Sequence, residues 1–422
     1  MRLCIVFSVG ILLAARLYSA TPSAVILRIQ SDIQAGHIAA AEQELTAALQ
    51  TDPRDGGLYN LRGIIQATRG ETAKAAETFS QATELSPELV NAYLNLGRAC
   101  EILSQHRDVS ALDRAIGAFR QLSARAPDAK EAKLQFRANL QHMAAGYQSR
   151  AQLVEAQRAW EFLAETDPSA IEPLTNLARI AQQRHDFKSA LSYLAHARAL
   201  QPDYAPVHFF FGVVCIELNL PIEAKKALQK AIDLDPNNAM YNYARGSVEL
   251  QGKSAWLATP YFKKFVAAQP DNPRGHFALG AALFASQDYM AAADEMKLVA
   301  GNRETAAGAQ YFLGRIAKVE GDWNAAADHL AKSIAVTPGY SDSHAELGLA
   351  KMHTGDITGA QAELDRALQL NPDGYLANAN LLTLYQRTKD PRFAAQQRRL
   401  RELDSKRSEK QELMLRTIRV EP

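Results

Sequence analysis

Apolar residues recur at intervals of three and four along almost the whole chain, while strand-forming runs of Val, Ile and Thr are scarce. Sets such as Ala75, Phe79, Ala82 and Ala224, Leu228, Ala231 place small and large apolar groups on one helical face. A longer period lies over this one. Ala41, Ala75, Ala115, Ala156, Ala190, Ala224, Ala258, Ala292, Ala326, Ala360 and Ala394 are separated by 34, 40 and 41 residues and then seven times by 34. Twelve residues after nine of them stands a proline, from Pro53 to Pro372, with Glu304 and Lys406 as the exceptions. Twelve residues before most of them stands a small residue: Gly63, Ala178, Gly212, Gly246, Gly280, Gly314 and Gly348, with Gly97 displaced by an insertion.

Each marker has a mechanical reading. Small residues on two facing helices let their axes approach. A proline offers no N–H and clashes with the preceding turn, so it ends the second helix. Gly36, Gly70, Gly321 and Gly355 stand five residues before their alanines, where a tight hairpin turn falls. In spacing and residue type this pattern resembles the tetratricopeptide repeat, a 34-residue pair of antiparallel helices. The resemblance covers about residues 22–405 and implies an all-α, right-handed solenoid of about eleven hairpins with a capping helix at the C-terminus. The third and fourth repeats are longer, with a loop expected around Ser104–Val109, one long first helix over Ala129–Tyr147, and a local change in the superhelical path.

The ends read differently. Met1-Arg2 is followed by thirteen uncharged residues, Leu3–Ala15, and then by small residues near Ala20. This is the order of a secretory signal peptide, and the run is shorter than the roughly 17–25 residues that cross a bilayer. Residues 1–20 are therefore expected to direct export to the periplasm or the exterior, with an uncleaved membrane anchor as the alternative. Bulky Tyr18 stands where cleavage favours a small residue. From Arg387 to Pro422 there are eleven Lys or Arg against six Asp or Glu. Residues 406–422 form a basic tail, read as a solvated cap with lipid contact as the lesser alternative. Overall, 47 basic residues balance 46 acidic ones, which argues against nucleic acid as a partner. Beyond Cys4 in the leader, Cys100 and Cys215 stand in repeats that are not neighbours and are read as buried apolar residues.

No phosphate loop, nucleophile elbow, zinc helix or paired C-x-x-C is present, so no catalytic residue, cofactor or metal is expected. His208, His276 and His344 recur every second repeat at one position and read as seam residues. In the resembled family the first helices line a groove, and their positions 2, 5, 9, 12 and 13 face it. Carried onto this chain, position 5 holds Phe209, Tyr243, Phe277 and Tyr311, and position 12 holds Ile216, Leu250, Phe284 and Lys318. Position 9 adds Val213 and Arg315, and position 2 adds Arg274. This strip suits an extended or helical segment of a partner protein, with Arg274, Arg315 and Lys318 holding an acidic group at one end. Packing of the position-5 aromatics against the next hairpin is an equal alternative. Asn95, Asn176 and Asn380 are too few for a ladder reading peptide backbones, and no carboxylate clamp is complete. The expected function is an exported, non-catalytic scaffold for protein segments. The alternatives are a self-associating structural protein, forming a homo-oligomer, and an accessory factor for envelope assembly or polysaccharide export. Membrane contact is expected only through an uncleaved leader or the basic C-terminus.

Overall fold

The computed structural model describes residues 23–106, 108, 110–252 and 255–418; the expected leader, residues 1–20, lies outside them, as do the side chains of the basic tail beyond Lys406. Among the described residues there are twenty-two helices and no strand, arranged as eleven successive pairs. The first five pairs are α1 (Ser23–Gln34) and α2 (Ile38–Thr51), α3 (Gly56–Thr68) and α4 (Thr72–Leu85), α5 (Val90–Gln105) and α6 (Ser110–Arg125), α7 (Lys130–Ser149) and α8 (Leu153–Thr166), and α9 (Ile171–Gln183) and α10 (Phe187–Leu200). Next come α11 (Ala205–Glu217) and α12 (Pro221–Leu234), α13 (Ala239–Gln251) and α14 (Ala255–Ala268), and α15 (Pro273–Ala285) and α16 (Tyr289–Val299). The last three pairs are α17 (Ala306–Glu320) and α18 (Trp323–Val336), α19 (Ser341–Thr354) and α20 (Ile357–Leu370), and α21 (Tyr375–Thr388) and α22 (Phe393–Ile418). The chain forms two compact units, one up to Val207 and one from His208. Within each unit a second helix packs on its own first helix and on the first helix of the next pair.

The repeat markers do what their chemistry requires. Ten of the eleven spaced alanines, Ala41 to Ala360, are fully buried in the hairpin seam, whereas Ala394 is exposed on the terminal helix. A methyl group added to Gly63 would meet the Phe79 ring at 2.5 Å, and one added to Gly314 would meet Leu330 at 2.7 Å, so both axes stand at the closest approach these side chains permit. Displaced Gly97 serves a different partner: it receives the Phe136 ring of α7, the next first helix. Gly36, Gly70, Gly321 and Gly355 all have positive φ, from 78° to 93°, in the hairpin turn. The same turn position is left-handed at Ala151, His185, Asn219, Gln287 and Lys389, each five residues before its alanine, where no glycine marks it.

The prolines stand two residues beyond the last residue of their helices. Where Glu304 replaces proline, α16 is 11 residues instead of the usual 14 and gives way to an irregular turn. In the third pair the connection expected around Ser104–Val109 falls between Gln105 and Ser110. The helices on either side of it are also longer, 16 residues each, because Leu103 and Ala111 are buried apolar residues that extend the seam. In the fourth pair α7 is one helix of 20 residues and lies against α5 over a longer contact than α5 makes with α3. The second helix of the eleventh pair and the expected cap are one 26-residue helix, α22, which runs unbroken through residues 405 and 406.

Candidate functional site

First helices of the second unit lie side by side, α13 against α15, α15 against α17, α17 against α19 and α19 against α21. Their shared face carries the strip expected from the sequence. Phe209 leans on Tyr241 with ring centroids 4.9 Å apart, and Tyr243 meets Phe262 and Phe265 at 5.6 and 4.9 Å. Phe277 fills the space left by Gly308, whose missing side chain would stand 2.7 Å from the ring. These three are half-buried, and Tyr311 is buried against Phe312 and Tyr340. Burial also pushes the Tyr311 hydroxyl well above the ordinary tyrosine range. Position 5 is thus a packing position, with Phe209, Tyr243 and Phe277 partly accessible and Tyr311 covered. Val213, Ile216, Leu250 and Phe284, at positions 9 and 12, are half-buried as well, Leu250 and Phe284 against one shared core cluster.

At its far end the strip becomes aromatic and basic together. Phe312, which no motif marks, touches Phe277, Phe284 and Tyr311 at 5.9, 5.2 and 5.7 Å. The Arg315 guanidinium lies 4.6 Å from the Phe284 ring centre. Lys318 donates to both carboxylate oxygens of Glu346 at 2.8 and 2.6 Å, and Arg315 Nε stands 3.7 Å from the same carboxylate. Glu346 is buried, so two cations share one internal carboxylate and the end of the strip keeps a net positive charge. Arg274 does not join them. It aligns with Gly308, ten residues ahead of Lys318 in register, or about 15 Å along the helix. There it pairs with Glu304 across an open cleft between two turns, at 2.9 Å.

A similar two-to-one arrangement occurs at Glu249, which accepts from Lys225 at 2.5 Å and from Arg245. Burial works against its charge, yet the two cations hold its carboxyl below the usual range. The seam histidines are likewise tied. His276 reaches Glu295 at 2.6 Å with one ring nitrogen and the Pro270 carbonyl at 2.7 Å with the other. His344 repeats this with Glu363 at 2.7 Å and the Pro338 carbonyl at 3.1 Å. Between them the pair is reversed, with Gln310 on the first helix and His329 on the second, 2.7 Å apart. Asn95 donates to Asn60 and Asn380 to the Ala345 carbonyl, both buried between neighbouring first helices. Among the described residues no cluster of three or more His, Cys, Asp or Glu is placed to hold a metal, and no helix is long and apolar enough to cross a membrane. Cys100 and Cys215 are both buried, and burial pushes the Cys100 thiol up to about 12.

Comparison with known proteins returns the same architecture. One tetratricopeptide-repeat family model matches residues 181–247 and 320–391, and a second matches residues 26–90. Protein O-mannosyl-transferase TMTC3 of Homo sapiens is 24% identical over 345 residues, which is 81% of this chain and 31% of that protein. The BBSome complex member BBS4 homolog of Drosophila melanogaster is 20% identical over 315 residues, 74% of this chain and 64% of that one. The chain thus spans less than two thirds of the length of either curated relative. A chain in the crystal structure of the APC/C hetero-tetramer Cut9–Hcn1 is similar over 85% of this chain and 89% of its own, with 15% identity and a TM-score of 0.47. The shared feature is the repeat rather than an activity: residues 26–90, 181–247 and 320–391 match tetratricopeptide repeats, and the described helices form an all-α array of such hairpins.

Proposed function

We propose that the chain is an exported, non-catalytic scaffold that holds a segment of a partner protein along the first helices α11, α13, α15 and α17. The observation that carries this reading is the set of half-buried apolar side chains at Val213, Ile216, Leu250 and Phe284, with the Phe284–Arg315–Lys318 cluster at one end. Aromatic and aliphatic groups supply contact area, while the net positive end orients an acidic group on the segment. Export rests on the uncharged run Leu3–Ala15 behind Arg2.

The test is site-specific photocrosslinking in the native cell, with a photoreactive residue placed at 250, at 284, or at exposed position 324 on a second helix. Crosslinks from 250 and 284 to one defined protein segment, absent from 324, are the expected outcome. Equal or absent crosslinking at all three positions overturns the groove assignment. Fusing residues 1–25 to a reporter active only outside the cytoplasm tests export separately, and an inactive reporter defeats it.

A further inference from the structure

A second surface lies on the other helices of the same unit. Ile222, Trp256 and Met290 each stand two residues before a spaced alanine, 34 residues apart, at the starts of α12, α14 and α16. They are 64%, 70% and 79% exposed. From each, the solvent-facing stripe continues at intervals of four, seven and eight residues. It holds exposed Lys226 on α12, Lys263 and Lys264 on α14, and Lys297 with the exposed Leu298 on α16. The exposed acids of the three helices are Glu223, Asp233 and Asp294, and Asp294 pairs with Lys297 at 3.5 Å. α14 carries none. The pattern stops there. The same register holds polar Asn324 on α18 and Thr358 on α20, and each of those stripes sets one acid against one base, Asp328 with Lys332 and Asp365 with Arg366.

We propose that this stripe is a docking face for an anionic lipid bilayer. Two features favour lipid over protein. The first is charge complementarity: four exposed lysines, Lys226, Lys263, Lys264 and Lys297, outnumber the three exposed acids beside the apolar tips, with α14 wholly basic, and lysine stems keep their charge at headgroup level while apolar side chains enter the interface. A tryptophan at the apolar level suits that boundary. The second is spacing. The helices bearing the three side chains pack on the intervening first helices, so the tips stand apart instead of forming one shaped patch. A protein interface needs contiguous complementary packing, whereas a fluid bilayer accepts separate anchors. The face is independent of the first-helix strip.

Fluorescence of the full chain reports on Trp256 directly, because Trp160 is buried and Trp323 is stacked on His353 at 3.7 Å. Phosphatidylcholine vesicles containing brominated phosphatidylglycerol should quench the wild type, and Trp256→Phe should remove that quenching while leaving the leader unchanged. Reversing two charges in Lys263→Glu/Lys264→Glu should weaken the Trp256 signal about tenfold or more, with circular dichroism confirming the fold. Quenching identical in wild type and Trp256→Phe overturns the proposal, as does equal quenching by brominated phosphatidylcholine alone. A concentration-dependent dimer that Trp256→Ser abolishes, without lipid quenching, assigns the face to a second copy and also overturns it.

Discussion

At the scale of single residues, the hairpin turn shows how local sterics and sequence can part. Among the described residues nine hairpin turns use the left-handed region, four through glycine and five through other residues. A side chain there costs about 1–2 kcal/mol, partly offset by the greater freedom a glycine loses on folding. Gln287→Gly and Ala151→Gly should therefore each raise stability by about 0.5–1 kcal/mol in urea titrations, and Gly321→Ala should lower it by about 1 kcal/mol. His276 gives a pH signature. Burial disfavours its charged ring, but the Pro270 carbonyl and Glu295 overcome this and raise its pKa above the ordinary value. Because the folded pKa is the higher one, its contribution is complete below the unfolded value near 6.5 and is lost as pH rises through the folded value. Melting temperature should fall over that window in the wild type, and the fall should be smaller in His276→Gln. Of these features, the glycine turns and the seam role of the histidines were legible in the residues. The five non-glycine turns were legible only as a register position, and no propensity marks Gln287 or Lys389 as left-handed.

Elements are tuned by their ends and by one interior defect. Pro260 lies inside α14, where it cannot donate to the carbonyl four residues back, that of Trp256. Pro260→Ala should stabilise the hairpin by about 1–3 kcal/mol, read as slower amide exchange across residues 256–264. The hairpin seams react in the opposite sense. Gly314→Ala drives a methyl group into Leu330 and should cost about 1–3 kcal/mol in denaturant unfolding. Helix lengths, by contrast, follow from where stopping residues stand. Proline ends most second helices at 14 residues, and its replacement by Glu304 leaves α16 to end early. In the third pair the added residues were apolar enough to be drawn into the seam, which a count of residues between markers cannot reveal.

Across the molecule, a repeat array couples each hairpin mainly to its neighbours. Damage from Gly314→Ala should therefore raise amide exchange in the neighbouring hairpins of the second unit and leave residues 23–180 unchanged. Truncating the strip separates its two roles. Tyr311→Ala should cost about 3–5 kcal/mol because the ring is buried, while Phe284→Ala, half-exposed, should cost less and chiefly reduce partner crosslinking. Lys318→Ala leaves buried Glu346 with Arg315 alone, so a loss of stability larger than that of a surface lysine is expected, again by denaturant unfolding.

Period, pairing and the proline-marked ends of the second helices followed from the residues alone, because they rest on sterics that act within one hairpin: small residues where axes meet, proline beyond the helix, glycine in the turn. Which aromatics are covered, and which charges are already answered, depended on residues one repeat away. Gly308 admits Phe277, Tyr340 covers Tyr311, Gly97 accepts Phe136, and Glu346 neutralises part of the basic end of the strip. Such partners are about 30–40 residues distant in sequence, and nothing local distinguishes them from their counterparts in other repeats. Only the stacking of hairpins brings them together, and it is there that the strip acquires its charge and its accessible area.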